Sequence, residues 1–357
     1  MAPRTPVAER LPRELYVEVT NRCNSRCQTC IRTFELLEPL RDLTLAEFQA
    51  IVDQFPVLER VVLHGIGEPL LNPELAAMIR YVKDQHPSTV VLFNSNAVLL
   101  DGDWQRALID AGLDEFRVSL DAATAATYAR IRGIDAFDIA IENVRRFASL
   151  LRNAGRPRLS FWLTAMCENL NELTALVDLA AEIGVPEVYV QRLVLIQRGL
   201  ARAEQSLYRQ LRTQEEAALA EAAERAIDYG LAFRASGQVS PQESLRGRND
   251  RDRPFDPAQD RPFDPAQDRP FDPAQDRPWS ACFRLWETTY ITANGNVLPC
   301  CISPFSTTDY ASLVLGNVFQ TPFAQIWNDA KYVKRRAALH TAQPLHPCEL
   351  CGVNWSL

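Results

Sequence analysis

Three cysteines near the N-terminus form the most chemically informative pattern in this chain. Cys23, Cys27 and Cys30 have the spacing C-x3-C-x2-C and directly follow a β-like run at residues 15–20. Three thiolates can bind three irons of a four-iron cluster and leave the fourth iron open to a small ligand, whereas clusters that only transfer electrons use four cysteines. The spacing therefore predicts chemistry at an iron–sulfur cluster.

A zinc site, or three unrelated thiols, is the alternative interpretation of this segment. Structural zinc sites commonly show paired Cys or His spacings that supply four ligands. The local run has three cysteines and no nearby His, so zinc is the weaker interpretation.

Composition and charge limit the class of protein. The chain has 357 residues, of which 47% are apolar, so it can bury the core of one large or two smaller domains. A net charge of −7 argues against a nucleic-acid surface. Because no apolar run approaches the length of a membrane span and the N-terminus lacks a signal-peptide apolar region, we expect a cytoplasmic protein without a membrane partner.

The other cysteines are also clustered. Of nine cysteines, eight lie at residues 23–30, 282–301 and 348–351. In a reducing compartment such clusters indicate metal ligation rather than disulfide bonds. Cys167 stands alone and is expected to be a small buried apolar residue.

Strand-like and helix-like runs alternate from about residue 15 to residue 230. The predicted strands are rich in Val, Leu, Phe and Tyr and cover residues 15–20, 60–65, 89–93, 115–120, 158–166 and 187–193. Six β-α units in series predict a parallel sheet, either an open partial (β/α)6 barrel or a doubly wound sheet. In both folds ligands bind at the C-terminal ends of the strands, where the first cysteine motif lies.

Helix boundaries also have sequence signals. Thr44 and Glu47 have the form of a capping box. Asn72-Pro73 predicts an N-cap followed by the first helical residue. An Ala/Glu/Arg-rich run at about 203–229 predicts a helix that ends at Gly230.

A repeat separates the two parts of the chain. Residues 252–275 are three copies of Asp-Arg-Pro-Phe-Asp-Pro-Ala-Gln, whose prolines exclude helix and regular sheet pairing. We interpret the repeat as a disordered linker rather than a binding tail. The predicted organisation is a core at residues 1–236, a linker at 237–278 and a small module at 279–357. Within the small module, Asn294-Gly295 predicts a hairpin, and a short helix is expected near 322–340.

An ordered set of motifs after the predicted strands resembles the radical S-adenosylmethionine (radical SAM) superfamily. The cysteine motif follows the first strand, and Gly65-Ile66-Gly67-Glu68-Pro69 ends the second in the manner of the superfamily's Gly-Gly-Glu-Pro motif. The third and fourth strands end at Asn94-Ser95-Asn96 and Ser119-Leu120-Asp121, and a segment at 128–133 is also similar to members of the superfamily. Thr29 and Ile66 depart from the usual residues, but neither change removes a thiolate.

The resemblance implies roles for individual residues. Cys23, Cys27 and Cys30 would bind a [4Fe–4S] cluster whose fourth iron is chelated by S-adenosylmethionine. The resulting 5′-deoxyadenosyl radical would abstract a hydrogen atom from the substrate. The residues expected at the S-adenosylmethionine pocket are Gly67, Glu68, Asn96, Ser119 and Gln191.

The C-terminal cysteines resemble the auxiliary-cluster modules called SPASM and twitch. The set consists of Cys282, Cys300, Cys348 and Cys351, with Cys301 as a spare thiol. Four cysteines suffice for one auxiliary [4Fe–4S] cluster, which resembles twitch; a zinc knuckle is the alternative. A fully ligated cluster cannot bind substrate at iron, so an electron relay is the favoured role, and shaping the pocket is the other.

The leading functional prediction is thus a radical SAM enzyme that oxidises or modifies a small molecule or a peptide, with an electron donor such as flavodoxin or ferredoxin. The alternatives are a non-catalytic zinc- or iron–sulfur-binding scaffold and a redox carrier. Neither alternative explains the conjunction of Gly67-Glu68-Pro69 with a three-cysteine motif.

Overall fold

The computed structural model describes residues 4–193, 202, 204–207, 212–236, 282–305, 309–341 and 343–348. The octapeptide repeat and Cys351 lie outside the described residues. No helix in the described part of the chain is long and apolar enough to cross a membrane.

The described chain folds around one ten-stranded sheet. The strands, in chain order, are β1 Glu14–Val17, β2 Arg60–Val62, β3 Val90–Ser95, β4 Glu115–Ser119, β5 Arg158–Ala165, β6 Glu187–Arg192, β7 Ala232–Ala235, β8 Thr288–Ile291, β9 Asn296–Leu298 and β10 Gly316–Asn317. Their order across the sheet is β10-β9-β8-β1-β2-β3-β4-β5-β6-β7. All neighbours from β8 to β7 are parallel, and only β8–β9 and β9–β10 are antiparallel.

All six predicted strands are present, and their order decides between the two predicted architectures. Strands β1 to β6 lie side by side in chain order without a reversal. A doubly wound sheet reverses its strand order at a switch point, whereas a barrel does not. The fold is therefore a partial (β/α)6 barrel.

The helices lie between and beyond these strands. They are α1 Ile31–Phe34, α2 Leu45–Val52, α3 Leu75–Gln85, α4 Gly102–Asp110, α5 Ala125–Arg132, α6 Phe137–Ala154, α7 Leu173–Ile183, α8 Arg212–Tyr229, α9 Arg284–Glu287, α10 Phe323–Trp327 and α11 Ala330–Ala338. The capping box of α2 is confirmed, because Thr44 accepts from the Glu47 N–H and Glu47 accepts from the Thr44 N–H.

Three predicted helix boundaries differ from the structure. Helix α3 has Glu74, not Asn72, as its N-cap, because residues 73–74 form a turn before the helix. The Asn72 Oδ1 accepts from the Glu74 N–H at 2.9 Å within this turn, and its Nδ2 donates to the carbonyls of Val19 and Leu43. The predicted helix at 203–229 is not helical at 204–207, and α8 starts at Arg212. The predicted helix near 322–340 is two helices, and the second starts at an N-cap, Asp329.

The two faces of the sheet differ in chemistry. On one face apolar side chains such as Leu15, Val17 and Phe93 pack against the helices in the main core. The opposite face, here called the polar face, carries the alternate residues of the same strands. These include Tyr16, His64, Asn94, Arg117, Ser119, Trp162, Tyr189 and Gln191, all partly accessible.

The C-terminal module extends the sheet on the β1 side. Strand β8 lies parallel to β1, with Glu14 opposite Thr288 and Val17 opposite Ile291. The predicted hairpin is confirmed, because β8 pairs antiparallel with β9 around Gly295, whose φ is 81°. The module therefore continues the barrel sheet directly.

Candidate active site

The loop that carries the first three cysteines is fastened to the C-terminal turn of α5. The Arg26 N–H donates to the carbonyl of Arg132 at 3.1 Å, and the Gln28 N–H donates to that of Ile131 at 3.0 Å. Gly133 follows with a φ of 67°, and a Cβ there would lie 2.3 Å from the carbonyl oxygen of Arg26. Only glycine fits at position 133 without moving the backbone.

The three thiols interact electrostatically. Burial raises the pKa of Cys23 and Cys27, and it raises that of Cys30 to about 12. Repulsion from Cys27 further raises the pKa of the other two thiols. Three partly buried thiols that repel one another as anions suit a cationic partner, since metal coordination deprotonates a thiol outright.

A buried ion pair stands beside Cys27. Arg132 donates from Nη1 to Oδ2 of Asp121 at 2.7 Å, and both side chains are largely buried. The positive charge of Arg132 acts to lower the pKa of Cys27, against the effect of burial. The two motifs at 119–121 and 128–133 carried these residues, but their sequence separation gave no sign that they pair.

The Gly65–Glu68 segment packs closely against the approach to the cysteine loop. A Cβ on Gly67 would lie 2.0 Å from the carbonyl oxygen of Thr20 and 2.7 Å from that of Arg22. The Glu68 N–H donates to the Arg22 carbonyl at 2.8 Å. Only glycine fits at position 67 without moving the backbone.

Glu68 is buried and acts on its neighbours. Its carboxylate accepts from the Ser95 hydroxyl at 2.7 Å, from the Asn96 N–H at 2.9 Å and from the Leu70 N–H at 3.2 Å. Burial raises the pKa of Glu68, and these hydrogen bonds oppose that shift. Glu68 thus joins the ends of β2 and β3 and fixes Asn96.

Asn96 connects the third strand to the cysteine loop. Its Nδ2 donates to Oδ1 of Asn24 at 2.7 Å and to Oγ of Ser25 at 3.0 Å. Asn24 and Ser25 lie between the first two cysteines, so Glu68, Asn96 and the loop form one connected unit. Gly67, Glu68 and Asn96 are therefore brought together at the C-terminal ends of β1, β2 and β3.

Ser119 and Gln191 lie farther along the same edge, on the polar face. Ser119 ends β4 opposite Trp162, and Gln191 lies near the end of β6 opposite Thr164. Both side chains are partly accessible. Their position is compatible with a pocket, but neither contacts the cysteine loop in the described hydrogen bonds.

Aromatic and charged groups line the middle of the polar face. Trp162 stacks on Tyr189 with ring centroids 4.1 Å apart, and the Arg117 guanidinium lies 4.2 Å from the Trp162 ring. Burial lowers the pKa of His64 to about 3, so this imidazole is neutral at neutral pH. The period-2 alternation of the strands placed these residues on one face, but the sequence analysis did not assign them to the site.

The second group of thiols contains Cys282, Cys300 and Cys348. Burial raises the pKa of Cys282 and raises that of Cys348 to about 12, and repulsion from Cys300 adds to both shifts. Cys301 instead packs with Tyr290 and neighbouring apolar residues. The described members of the predicted auxiliary set are thus close together, and the spare thiol is separate from them.

The two thiol groups lie toward opposite ends of neighbouring strands. Leu298 is opposite Tyr290, so Cys300 lies near the start of β8. The Cys23 loop follows the end of β1, which is parallel to β8. Side chains of the polar face, including Tyr16 and Tyr290, lie along the strands between the first and the second thiol group.

The described thiols are not gathered around the position of a single metal ion. In the part of the chain that the structure describes, no three His, Cys, Asp or Glu side chains are placed to hold one ion. A zinc ion needs its ligands about 2.0 to 2.3 Å away, whereas the thiolates of a four-iron cluster bind different irons. Both donor sets consist of cysteines only, the ligand type of iron–sulfur clusters.

Two family models match the chain. Residues 17–191 match the radical SAM superfamily, and residues 282–352 match SPASM, an iron-sulfur cluster-binding domain. Each matched range contains one of the two thiol groups described above.

Named relatives match along most of the chain. The AdoMet-dependent heme synthase of Methanosarcina barkeri is 25% identical over 333 residues, which cover 91% of this chain and 84% of that protein. The PqqA peptide cyclase of Gluconobacter oxydans is 24% identical over 355 residues, which cover 96% and 84%. The matches to two further relatives cover only 51% and 44% of those proteins.

A solved structure has the same fold. The crystal structure of SuiB from Streptococcus suis, bound to the precursor peptide SuiA, aligns with a TM-score of 0.63 over 92% of this chain and 68% of that chain. The sequence identity is 16%, so the likeness supports the fold alone. The family matches, the fold and the two cysteine groups lead to one conclusion: the chain belongs to the radical SAM superfamily and is an enzyme that uses S-adenosylmethionine and a [4Fe–4S] cluster together with a SPASM iron–sulfur domain.

Proposed function

We propose that this enzyme oxidises or modifies a small molecule or a peptide, and that its auxiliary cluster accepts an electron from the substrate radical. The observation that carries the proposal is the position of the two thiol groups toward opposite ends of β1 and β8, with the polar face between them. A substrate on that face would have a hydrogen-abstracting site at one end and an electron acceptor at the other.

Particular residues would hold the cofactors. Cys23, Cys27 and Cys30 would ligate the [4Fe–4S] cluster that binds S-adenosylmethionine, and Cys282, Cys300, Cys348 and Cys351 would ligate the auxiliary cluster. When bound, the first cluster and S-adenosylmethionine supply a 5′-deoxyadenosyl radical that removes a hydrogen atom from an unactivated C–H group.

The chain's own contribution is positioning. Gly67 allows its segment to lie against the backbone before Cys23, and Glu68 holds Asn96 against the loop. We assign Gly67, Glu68, Asn96, Ser119 and Gln191 to the S-adenosylmethionine pocket, the first three through their contacts and the last two through their place at the strand ends. Preorganised groups of this kind exclude water and orient the reacting carbon.

The relatives support the substrate class. One is named a heme synthase and another a peptide cyclase, and the SuiB structure holds a precursor peptide. The proposed substrate is therefore a small molecule or a peptide.

The electron donor is proposed to be a flavodoxin or a ferredoxin. The matched ranges fall within the two domains proposed at residues 1–236 and 279–357.

The test is reductive cleavage of S-adenosylmethionine by anaerobically reconstituted protein. The wild type and Cys300→Ala are expected to release 5′-deoxyadenosine, whereas Cys27→Ala is expected to release none. Cys167→Ala is the matched control, because this thiol belongs to neither group and contacts the Ser206 carbonyl at 3.2 Å. Cleavage that persists in Cys27→Ala would contradict the proposal.

A further inference from the structure

One buried cation stands beside the second thiol group without a carboxylate to balance its charge. Arg335, on α11, is 5% exposed. Its Nη1 donates to the carbonyl of His346 at 2.8 Å, and its Nη2 donates to that of Ser312 at 3.3 Å. Among the described residues no carboxylate forms an ion pair with Arg335, and its buried Nε has no hydrogen-bond acceptor. A buried charge in this state requires an anionic partner.

The neighbouring Arg336 is also buried and also has a nitrogen, Nη2, without a hydrogen-bond acceptor, but its described contacts are with an aromatic ring, backbone carbonyls and an amide oxygen. The Arg336 guanidinium stacks over Trp327 at 4.2 Å and donates to the carbonyls of Leu285 and Trp327, each at 2.8 Å. It also donates to Oδ1 of Asn328 at 2.9 Å. Arg336 therefore fastens the helix to its surroundings through these contacts.

Arg335 faces the segment that carries Cys348. The His346 carbonyl that it binds lies two residues before this cysteine. The positive charge of Arg335 acts to lower the pKa of the Cys348 thiol, against the effect of burial. Arg335 therefore places a buried positive charge beside the second thiol group.

The first thiol group provides a contrast. Arg132 also stands beside a cysteine, Cys27, but Asp121 already neutralises it at 2.7 Å. Among the described residues, no carboxylate forms the corresponding ion pair with Arg335 beside the second group.

We propose that Arg335 raises the reduction potential of the auxiliary cluster and so prepares it to accept an electron. Reduction adds negative charge to a cluster, and a nearby buried cation stabilises that charge. The inference rests on the proposed function, since it assumes a cluster held by Cys282, Cys300 and Cys348. Arg335 acts through Cys348 and is a positioning residue, not a catalytic one.

The experiment measures the midpoint potential of the auxiliary cluster by a redox titration followed by electron paramagnetic resonance. The three N-terminal cysteines are replaced by Ala in the full-length chain, so that only the auxiliary cluster contributes to the signal. In this background Arg335→Gln is expected to shift the reduction equilibrium at least tenfold toward the oxidised form, which is about 59 mV for one electron. Lys334→Gln is the matched control, because it removes a positive charge from an exposed position of the same helix.

The outcomes separate this inference from the proposed function. A background protein without a cluster would contradict both. A cluster whose potential is equal in Arg335→Gln and Lys334→Gln would overturn the role of Arg335 alone. If Arg335→Gln fails to hold the cluster, Arg335→Met is compared with Lys334→Gln by the same rule, since Met also removes the charge and keeps a long side chain.

Discussion

The hydroxyl of Tyr290 donates a hydrogen bond to Oε2 of Glu18 at 3.0 Å. Glu18 directly follows β1, whereas Tyr290 lies in β8 of the SPASM domain. The same carboxylate oxygen accepts from the N–H of Ile66 at 2.9 Å, within the motif that ends β2. One buried carboxyl therefore connects the motif that ends β2 to strand β8 of the SPASM domain.

Glu18 is expected to make the stability of the fold depend on pH. Burial raises its pKa from 4.5 to about 7, so the folded protein holds this proton more tightly than the unfolded chain. The stabilisation is fully present below pH 4.5 and is lost as the pH rises toward 7, with a total of about 3 kcal/mol. Urea unfolding between pH 4.5 and 8 should show a steeper decline in the wild type than in Glu18→Gln, because Glu68, whose pKa burial also raises, is present in both.

The exposed Glu182→Gln serves as the control for this comparison, because it changes the same residue type at a surface position. An equal decline in wild type and Glu18→Gln would show that another group carries the pH dependence.

Gly67→Ala is expected to be strongly destabilising. Its Cβ would overlap the Thr20 carbonyl oxygen at 2.0 Å, and a backbone atom cannot rotate away. We expect a loss of about 3 kcal/mol in the free energy of unfolding, together with weaker S-adenosylmethionine binding.

The matched control is Gly102→Ala, at the start of α4, where the nearest atom to the new Cβ is 3.6 Å away. This change is expected to be neutral or slightly stabilising. Thermal unfolding and equilibrium dialysis of S-adenosylmethionine measure both effects, and equal behaviour of the two variants would contradict the packing argument.

Arg132→Met is expected to destabilise the protein by about 3 to 5 kcal/mol, because it leaves Asp121 buried without its cation. The variant should also hold less iron, since a positive charge beside Cys27 is lost.

The control is Arg130→Met, two residues earlier. Arg130 forms an ion pair with Glu168, and its side chain is 54% exposed. That variant should lose less than about 1 kcal/mol, and iron retention equal in the two variants would argue against a role for Arg132 at the cluster.

The fold was predictable where periodicity and strand composition agree. Strands β1 to β6 were predicted from runs of Val, Leu, Phe and Tyr, and all are present. Strand β7 was missed because Ala232–Ala235 is short and has no β-branched residue. The start of α3 was misplaced because residues 73–74 form a turn before the helix, in which Asn72 accepts from the Glu74 N–H.

The site was predictable only in part, for a similar reason. The spacing of Cys23, Cys27 and Cys30 identifies them without a structure, since their ligand geometry is local. The roles of Glu18, Arg132 and Arg335 depend on partners that are not their neighbours in the sequence and that meet only in the folded protein. Their neighbours in the chain give no signal of a buried charge.

The most direct test of the account is an iron and sulfide count on anaerobically reconstituted protein. About eight irons and eight sulfides per chain are expected for the wild type, since each [4Fe–4S] cluster contributes four of each. Replacement of Cys23, Cys27 and Cys30 by Ala should leave about four irons, and replacement of Cys282, Cys300 and Cys348 should also leave about four. Zinc in place of iron, or a wild-type count that does not fall in either variant, would contradict the account.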